Sequence, residues 1–497
     1  MVFCFTVENM AELIRSTKGN NKLSFNGYFY TKQYQKAGKI RWVCDQKRSR
    51  RCNGAVLTDI DFGNVNVTGQ HNHVQDQGRI EIARVRGEMK SQAANTIAAP
   101  SAIQTGVLLQ TDEEVKMRIG TSEACRQAMS RARKKLLPVN PTTLNELVIE
   151  GTFVTTGGLN PERFLLHDNG PVNAVNSRIV IYSTDGKLRR LVAATRWYAD
   201  GNFKLVPTIF KQLYIIRVRI GRGAYITAVY CFLENKTQVV YREMWRLIEH
   251  ECQLRNLQIN VEHLVIDFEQ AVISAFHFVF GNHVLLHGCF FHLTQSTWRK
   301  VQSLGLTRTY IDNNEDFQTF VGMMDGLAFL PIDDIIIGTD FLRQNVHPHP
   351  RAVELLDYFE DTYVRGALNQ QLRANNRPVR RDHPMFPPSL WNVHTATLND
   401  DPRTNNVCES WNNSFFHIIG HNHPSMWSCI RGLQKQHADD EKVILQDFLG
   451  QQPRQRVKRA LVQMQARLRN LCIDYNLGLR NVGDFLRGVS HNIRFTL

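Results

Sequence analysis

Ile216-Arg217-Val218-Arg219-Ile220-Gly221-Arg222-Gly223-Ala224 alternates apolar and charged residues and then turns on glycine. Period-two alternation predicts a strand with one buried and one polar face, and the Gly-Arg-Gly step predicts a turn into an antiparallel partner. That partner is Ala224 to Leu233. Upstream, Leu191 to Phe203 and Arg178 to Tyr182 also read as strands. Downstream the period becomes helical: Tyr241, Met244, Trp245 and Ile248 fall at i, i+3, i+4 and i+7. His263 to Phe268 is a short apolar strand, and Val272, Ala275, Phe276 and Val279 form a second helical stripe. His283 to Phe290 returns to strand and Leu293 to Gln302 to helix. Leaving Arg178 to Tyr182 aside, the order is three strands with short turns, then helix, strand, helix, strand, helix. The first part suits antiparallel pairing and the later strands need crossovers, so a mixed α/β layer is expected.

The flanking sequence differs in character. In the first 75 residues, Leu23 to Tyr30 contains the hairpin step Asn26-Gly27, and Lys39 to Cys44 reads as a strand. Val56 to Val67 is β-rich with a break at Asp61-Phe62-Gly63. Glu81 to Ala93 and Asp112 to Leu136 read as helices separated by a soft segment at Ala98-Ala99-Pro100-Ser101. Residues from Leu306 to Asn392 are mainly helical, with breaks at His347 to Pro350 and Pro384 to Pro388, and helical pattern continues to the C-terminus, including Val457 to Tyr475.

Of 497 residues, 43% are hydrophobic and 21% charged, which excludes global disorder and fibrous classes. Lys plus Arg is 60 against 46 Asp plus Glu, a formal charge of +14 that favours a polyanionic partner. No apolar run approaches the ~20 residues of a membrane span. Met1 to Ile14 lacks a basic n-region and carries Glu8 and Glu12, so no signal peptide is expected. Ten cysteines are too sparse for a secreted disulfide scaffold, and a reduced intracellular setting is expected.

Cys44, Cys52, His71 and His73 carry zinc-ligand chemistry. The two cysteines flank a loop, Asp45 to Arg51, and the two histidines would share a face if they lay on a strand. Spacing alone also allows two buried free thiols and two surface histidines. Lys47-Arg48-Ser49-Arg50-Arg51 is either a solvated loop or a phosphate contact. Taken together, Gly19, Leu23, Gly27-Tyr28, Tyr30, Trp42-Val-Cys44, Cys52 and His71-Asn-His73 resemble a FLYWCH-type zinc finger over about residues 5 to 75. The resemblance implies a small β-rich module with structural Zn²⁺, used for DNA or protein contact.

Three acids stand out by placement. Asp200 lies inside a strand between aromatic neighbours, an expensive place for an unpaired charge. Asp267 ends the strand Leu264-Val-Ile-Asp267, at the crevice where α/β sheets bind ligands. Glu409 sits off a helical packing stripe of Val407, Trp411, Ser414 and Phe415, with Asn405 and Asn412 on its side; without further context it is an ordinary solvent-facing Glu. Trp197-Tyr-Ala-Asp200-Gly-Asn-Phe203-Lys-Leu-Val-Pro207 with Phe210-Lys-Gln212-Leu-Tyr214 resembles the first catalytic block of Mutator-like element (MULE) transposases. Asp267-Phe-Glu-Gln-Ala271, Gly288-Cys289-Phe-Phe-His292 and Trp298-Arg-Lys300 resemble the second. Ala328-Phe-Leu-Pro331, Tyr358-Phe-Glu-Asp-Thr-Tyr363 and Pro388-Ser-Leu-Trp391-Asn392 resemble the helical insertion, and Arg403-Thr-Asn-Asn406 through Glu409-Ser-Trp411 the block with the final acid. The resemblance runs in order over about residues 147 to 440. Asn202 stands where Thr is more usual, and Cys408-Glu409-Ser410 replaces the commoner Val-Glu-Gly; neither removes a metal ligand.

The resemblance implies an RNase H-like catalytic core and a DDE triad of Asp200, Asp267 and Glu409 holding Mg²⁺ or Mn²⁺. Cys289 and His292 match the family's Cys-x2-His element, with His292 near the scissile phosphate; a buried structural pair and half a zinc site are the alternatives. The expected organisation is multidomain α+β: a zinc finger at 1–75, a helical connector at 76–146, the core at 147–305, an all-helical insertion at 306–400, the final catalytic helix at 401–440 and a helical C-terminal region at 441–497. Lys47, Arg48, Arg50 and Arg51 of the finger, and Arg131, Arg133, Lys134 and Lys135 of the connector, are expected on the terminal inverted repeats of double-stranded DNA. Further basic patches lie near Arg377, Arg380 and Arg381 and near Arg454, Arg456, Lys458 and Arg459. The expected activity is cut-and-paste transposition in the nucleus by a dimer or larger assembly. The alternatives are a domesticated DNA-binding protein retaining the fold and, less well matched, a host nuclease.

Overall fold

The structure, a computed structural model, describes residues 11–15, 21–62, 64–96, 98–170, 177–221, 223–312, 315–368, 381–451 and 459–494. Gly19, Gly63, Arg222, Arg377, Arg380, Arg454, Arg456, Val457 and Lys458 lie outside these residues, as does the side chain of Lys134. The chain divides into two compact units, one running to Asn140 and taking in Ile418–Gly420, the other made of Pro141–His417 and His421 onward.

The first unit opens with a six-stranded antiparallel meander in sequence order: β1 (Glu12–Arg15), β2 (Asn21–Phe25), β3 (Tyr28–Lys36), β4 (Lys39–Cys44), β5 (Ala55–Asp59) and β6 (Val65–Gly69). Asn26 and Gly27 take φ of 49° and 74°, the double left-handed step that lets two residues join right-twisted strands. Leu23, Phe25, Tyr30, Ile40, Trp42 and Val56 form its small core. Four helices follow: α1 (Gln77–Asn95), α2 (Pro100–Leu109), α3 (Glu113–Arg118) and α4 (Ser122–Lys134). Asp76 caps α1 by accepting from the Arg79 amide at 3.0 Å. Ile80 of α1 packs against Ile14 and Phe29 of the sheet, so the connector is docked on the finger rather than free of it. The single helix expected over Asp112 to Leu136 is two, because Gly120 turns the chain at φ 94° and Thr121 caps a new start. The soft segment at Ala98 to Ser101 is short because Pro100 starts α2, where its missing amide costs nothing.

The second unit is built on a seven-stranded sheet in the order β13-β12-β9-β10-β11-β8-β7. Its elements are β7 (Leu165–Asp168), β8 (Ile179–Tyr182), α5 (Asp185–Ala193), β9 (Arg196–Asn202), β10 (Gln212–Ile220), β11 (Ala224–Leu233), α6 (Gln238–Gln253), β12 (His263–Ile266), α7 (Gln270–Phe280), β13 (Leu285–Gly288) and α8 (Phe290–Ser303). β9, β10, β11, β8 and β7 pair antiparallel, whereas β12 joins β9 and β13 joins β12 in parallel. Leu191 to Phe203 is not one strand. Thr184 caps α5 by accepting from the Lys187 amide, Leu188 and Leu191 are its buried face, and the strand starts only at Arg196. Trp197, Trp245 and Phe276 pack on one face of the sheet, with Trp245 edge-on to Phe276 at 5.1 Å between centroids.

The remaining chain is helical: α9 (Thr307–Ile311), α10 (Glu315–Gly326), α11 (Ile335–Gln344), α12 (Ala352–Phe359), α13 (Pro388–Trp391), α14 (His394–Leu398), α15 (Asn406–Ile419), α16 (Met426–Phe448), α17 (Arg459–Asn476) and α18 (Val482–Arg494). α18 packs along α10, so the C-terminal helices complete the insertion. A Cβ at Gly322 of α10 would lie 2.1 Å from Ser490 Oγ of α18. Gly322→Val is therefore expected to cost about 1–3 kcal/mol by overpacking. Gly87→Ala, where the added Cβ meets nothing within 4 Å, is the control. Urea midpoints check this, and equal midpoints for Gly322→Val and wild type would count against the packing. Arg381 is ion-paired to Glu360 and Asp361, so of its patch this residue serves the fold, while Arg459 is exposed.

Candidate functional site

Ligand-type side chains gather in two clusters, one in each unit. In the first, β4 ends on Cys44 and β5 begins just after Cys52, so the strand pairing fixes the loop between them. His71 and His73 follow β6 and lie in the chain beyond it, not on a strand as their spacing suggested. They converge all the same, because Tyr28 stacks on His71 with centroids 3.6 Å apart and Tyr28 Oη donates to the His73 carbonyl. Cys44 Sγ is 3.3 Å from His73 Nε2, Cys52 Sγ is 3.3 Å from His71 Nδ1, and the two ring nitrogens are 3.4 Å apart. Tetrahedral zinc with Zn–S ~2.3 Å and Zn–N ~2.0 Å sets edges of roughly 3.3–3.8 Å, so the donor set fits the ion. The far nitrogens are also held: His71 Nε2 by Tyr30 Oη at 2.9 Å and His73 Nδ1 by the Val74 carbonyl at 3.1 Å, which orients each ring. Backbone amides of Gln46 and Gly54 donate to the two sulfurs.

This cluster also shapes the basic loop. Lys47, Arg48, Arg50 and Arg51 are exposed, with no carboxylate partner among the described residues. Asn72 donates to the Arg50 carbonyl at 3.0 Å, tying the loop to the segment between the histidines. The acid in the loop, Asp45, is occupied by Lys22 and Arg79. Arg48→Ala with Arg50→Ala should weaken duplex DNA binding and lower the salt slope by about two if each neutralises one phosphate. An unchanged slope in a titration at several salt concentrations would exclude the loop. In the helices, Arg131 and Lys135 are exposed, Arg131 bonding Gln127. Arg133 differs: its guanidinium donates to the carbonyls of Ala93, Thr96 and Ala98, so it closes the end of α1 rather than facing a partner.

In the second unit, Val265 of β12 pairs with Tyr198 of β9 in parallel, so two residues on Asp267 comes opposite Asp200. Asp200 Oδ1 accepts from the Gly201 amide at 2.8 Å, and Oδ2 accepts from Asn412 Nδ2 of α15 at 2.9 Å. That bond spans more than two hundred residues and brings Glu409, one turn earlier on α15, toward the sheet. The buried stripe of α15 is Cys408, Trp411 and Phe415; Ser414 is exposed and Glu409 half-buried. Asn405 holds the helix start, its side chain donating to the Ala199 carbonyl at 2.8 Å. Arg217, expected on the polar face of its strand, is only 8% exposed and donates to the carbonyls of Val407 and Tyr225.

The electrostatics follow from this crowding. Burial, then the charges of Asp200 and Glu269, push Asp267 up to about 7. Burial raises Asp200 despite His292 and Asn412, and burial with Asp200 raises Glu409. Glu269, not singled out by the sequence beyond its place in the Asp267 block, is also raised by burial and accepts from Tyr241 Oη at 3.1 Å. His292 opens α8 with its Nδ1 buried and unpartnered, and burial lowers its pKa. Cys289 does something different. It is fully buried, its thiol is raised by burial, and its Sγ accepts from the Asn405 amide at 3.1 Å, so it joins α8 to the approach of α15. Glu409 Oε1 and Asn412 Oδ1 are buried without partners. The acids gather less tightly than the finger ligands: Cys44, Cys52, His71 and His73 are the group of metal-type ligands whose atoms all lie within 4.8 Å, among the described residues.

The folded value of Asp267 lies above the unfolded ~3.9, so the folded state binds the extra proton and metal-free stability falls as pH rises from about 4 through about 7. His287, held down to about 4 by burial, acts oppositely from about 4 to 6.5. The readout is therefore the difference between wild type and Asp267→Asn, which should favour the variant progressively up to pH 8 in EDTA. Parallel melting curves at pH 5 and pH 8 would count against it.

A search of curated proteins finds no match to the chain. A family model for the FLYWCH zinc finger domain matches residues 13–73, a span that holds the six strands but for the first residue of β1, the basic loop and all four zinc-type ligands. Residues 13–73 thus form a FLYWCH zinc finger domain whose two cysteines and two histidines are a candidate metal site, a domain type that suggests nucleic-acid binding.

Proposed function

We propose that this protein is a DNA transposase of the DDE type, related to the Mutator-like elements. Its finger binds terminal inverted repeats and its second unit cleaves and joins DNA strands. The observation that carries the reading is the approach of Asn412 to Asp200, which closes α15 over the sheet end where Asp267 lies on the neighbouring strand. The order β13-β12-β9-β10-β11, antiparallel for the first three strands in sequence and parallel for the next two, is the order of an RNase H-like layer and supports that fold assignment. β8 and β7 extend it at the far edge.

The donor set suits a hard divalent cation: carboxylates of Asp200, Asp267 and Glu409, with buried and unpartnered oxygens on Glu409 and Asn412. When bound, Mg²⁺ supplies the charge that activates the attacking oxygen and stabilises the leaving one. The chain's own residues do the rest. Asp200 is oriented by the Gly201 amide and Asn412, and Glu269 is oriented by Tyr241. His292, with Asp200 beside it and a free buried nitrogen, is placed to bond a phosphate oxygen. Cys289 ties α8 to the approach of α15 by accepting from the Asn405 amide. We place the reaction in the nucleus, on two DNA ends held by at least two copies of the chain.

The test is cleavage of DNA carrying candidate element ends by purified protein, with Mg²⁺ or EDTA. Metal-dependent nicking at the element end supports the transposase. Tight binding without cleavage under any divalent metal would sink it and leave a DNA-binding protein acting through its FLYWCH finger.

A further inference from the structure

Beside the acids, the second unit carries an exposed aromatic ring set among lysines. β9 ends at Asn202, whose Oδ1 accepts from the amides of Lys204 and Leu205 at 2.9 and 2.7 Å. This side-chain turn lifts the chain off the sheet at once and presents Phe203, three residues after Asp200, to solvent. Phe203 is 41% exposed and lines a surface depression of about 470 Å³ with Thr208, Phe210, Lys211, Lys236 and His423. Lys236 Nζ lies 5.7 Å from the Phe203 ring centroid. Its charge also acts on the acids, offsetting part of the rise that burial gives Asp267 and Glu269. Lys204, Lys211 and Lys236 are exposed and take no ion pair among the described residues. His423 is held with φ 48°, a backbone state disfavoured for a side chain of this kind, by donating its amide to the Lys204 carbonyl at 2.7 Å. Its Nδ1 lies 3.4 Å from the Val206 carbonyl, leaving Nε2 for a ligand.

We infer that this depression is a subsite for one unpaired nucleotide of the DNA strand whose phosphate lies at the acids, its base stacked on Phe203 and its phosphates met by Lys204, Lys211 and Lys236. The inference rests on the transposase reading for the identity of the strand. The chemistry selects the occupant. One exposed ring is too little apolar surface for a protein interface, and the surrounding charge is positive with no acid in the lining. A base within a duplex keeps its faces stacked on its neighbours, so a face free for Phe203 belongs to an unpaired base. Asn202 acquires a role here as well: it sets the turn that exposes the ring.

The test uses the full zinc-loaded chain in Mg²⁺-free buffer without chelator, where no cleavage is expected, and a short single strand carrying 2-aminopurine, with excess duplex to occupy the finger. The wild type is expected to quench the probe by stacking. Phe203→Ala should lose the quench and about five- to a hundred-fold in affinity for the strand, while Phe203→Trp keeps both. Lys236→Gln should lower the salt slope by roughly one phosphate. Phe203 is exposed, and melting curves confirm that each variant is folded. Absence of quenching by the wild type, or Phe203→Ala within twofold of it, overturns the subsite. The transposase reading is scored apart, by cleavage with Mg²⁺ in wild type and Asp267→Ala, so either conclusion can fail alone.

Discussion

Stripping zinc with a chelator at neutral pH is expected to unfold the finger while the seven-stranded sheet of the second unit stays folded. Among the described residues the main cluster of the finger is six side chains, Leu23, Phe25, Tyr30, Ile40, Trp42 and Val56, with Ile14 and Phe29 packed on Ile80 beside it, too little to hold six strands unaided. Structural zinc contributes about 10–16 kcal/mol of apparent binding free energy, comparable with or larger than the whole stability of a typical domain. Cys52→Ala should have the same effect without a chelator, because Cys52 is fully buried and its loss leaves three ligands. The helices α1 to α4 keep their own core of Met89, Ala93, Ile103, Val107, Ile119, Cys125 and Met129, so the loss should be concentrated in the strands. Hydrogen exchange resolves this: amides of β2 to β5 should lose protection on chelation while those of β9 to β12 keep it. Zinc-free protein with unchanged exchange in β4 would refute a structural role for the ion. Duplex DNA binding should fall together with strand protection, because the cysteines anchor both ends of the Lys47 to Arg51 loop.

Replacing any one of Asp200, Asp267 or Glu409 by Ala is expected to lower metal-dependent DNA cleavage by about 10³-fold or more, since each removes several kcal/mol of charge stabilisation from the transition state. Asn412→Ala should be milder, about 10–100-fold, because it orients Asp200. The two classes separate on a metal titration. Asn412→Ala should recover activity at higher Mg²⁺, whereas Asp267→Ala should not. The decisive control is folding. Burial raises Asp200 and Asp267 above their ordinary range, so replacing either removes a buried carboxyl that is costly to ionise and should not lower the melting temperature in EDTA. An Asp267→Ala protein that is folded and cleaves at the wild-type rate would end the assignment, leaving the finger's DNA binding intact.

Much of this protein is local, and local features are legible in a sequence. The Asn26-Gly27 hairpin and the strand Lys39–Cys44 could be read directly, because turn conformations are written in residue type, whereas the Cys44, Cys52, His71, His73 set is open on spacing and follows from the FLYWCH resemblance. The succession from β9 to α8 was legible too, since each element changes the hydrophobic period. What failed were positions whose neighbours arrive from far along the chain. Arg217 alternates like a solvent-facing residue, yet α15 covers it and takes its hydrogen bonds at Val407. Arg133 reads as part of a basic cluster, yet its guanidinium closes the end of α1. The last turn of α5, Leu191-Val-Ala193, reads equally as the start of a strand, and β7, Leu-Leu-His-Asp, shows no alternation to signal it. Sequence alone determined which side chains are able to bind metal and where the chain turns, because those are properties of residue type. The tertiary structure alone decided that Asn412 reaches Asp200, that Cys289 is a joint, and that Phe203 faces outward beside the acids, because each depends on which distant surface desolvates or satisfies the group.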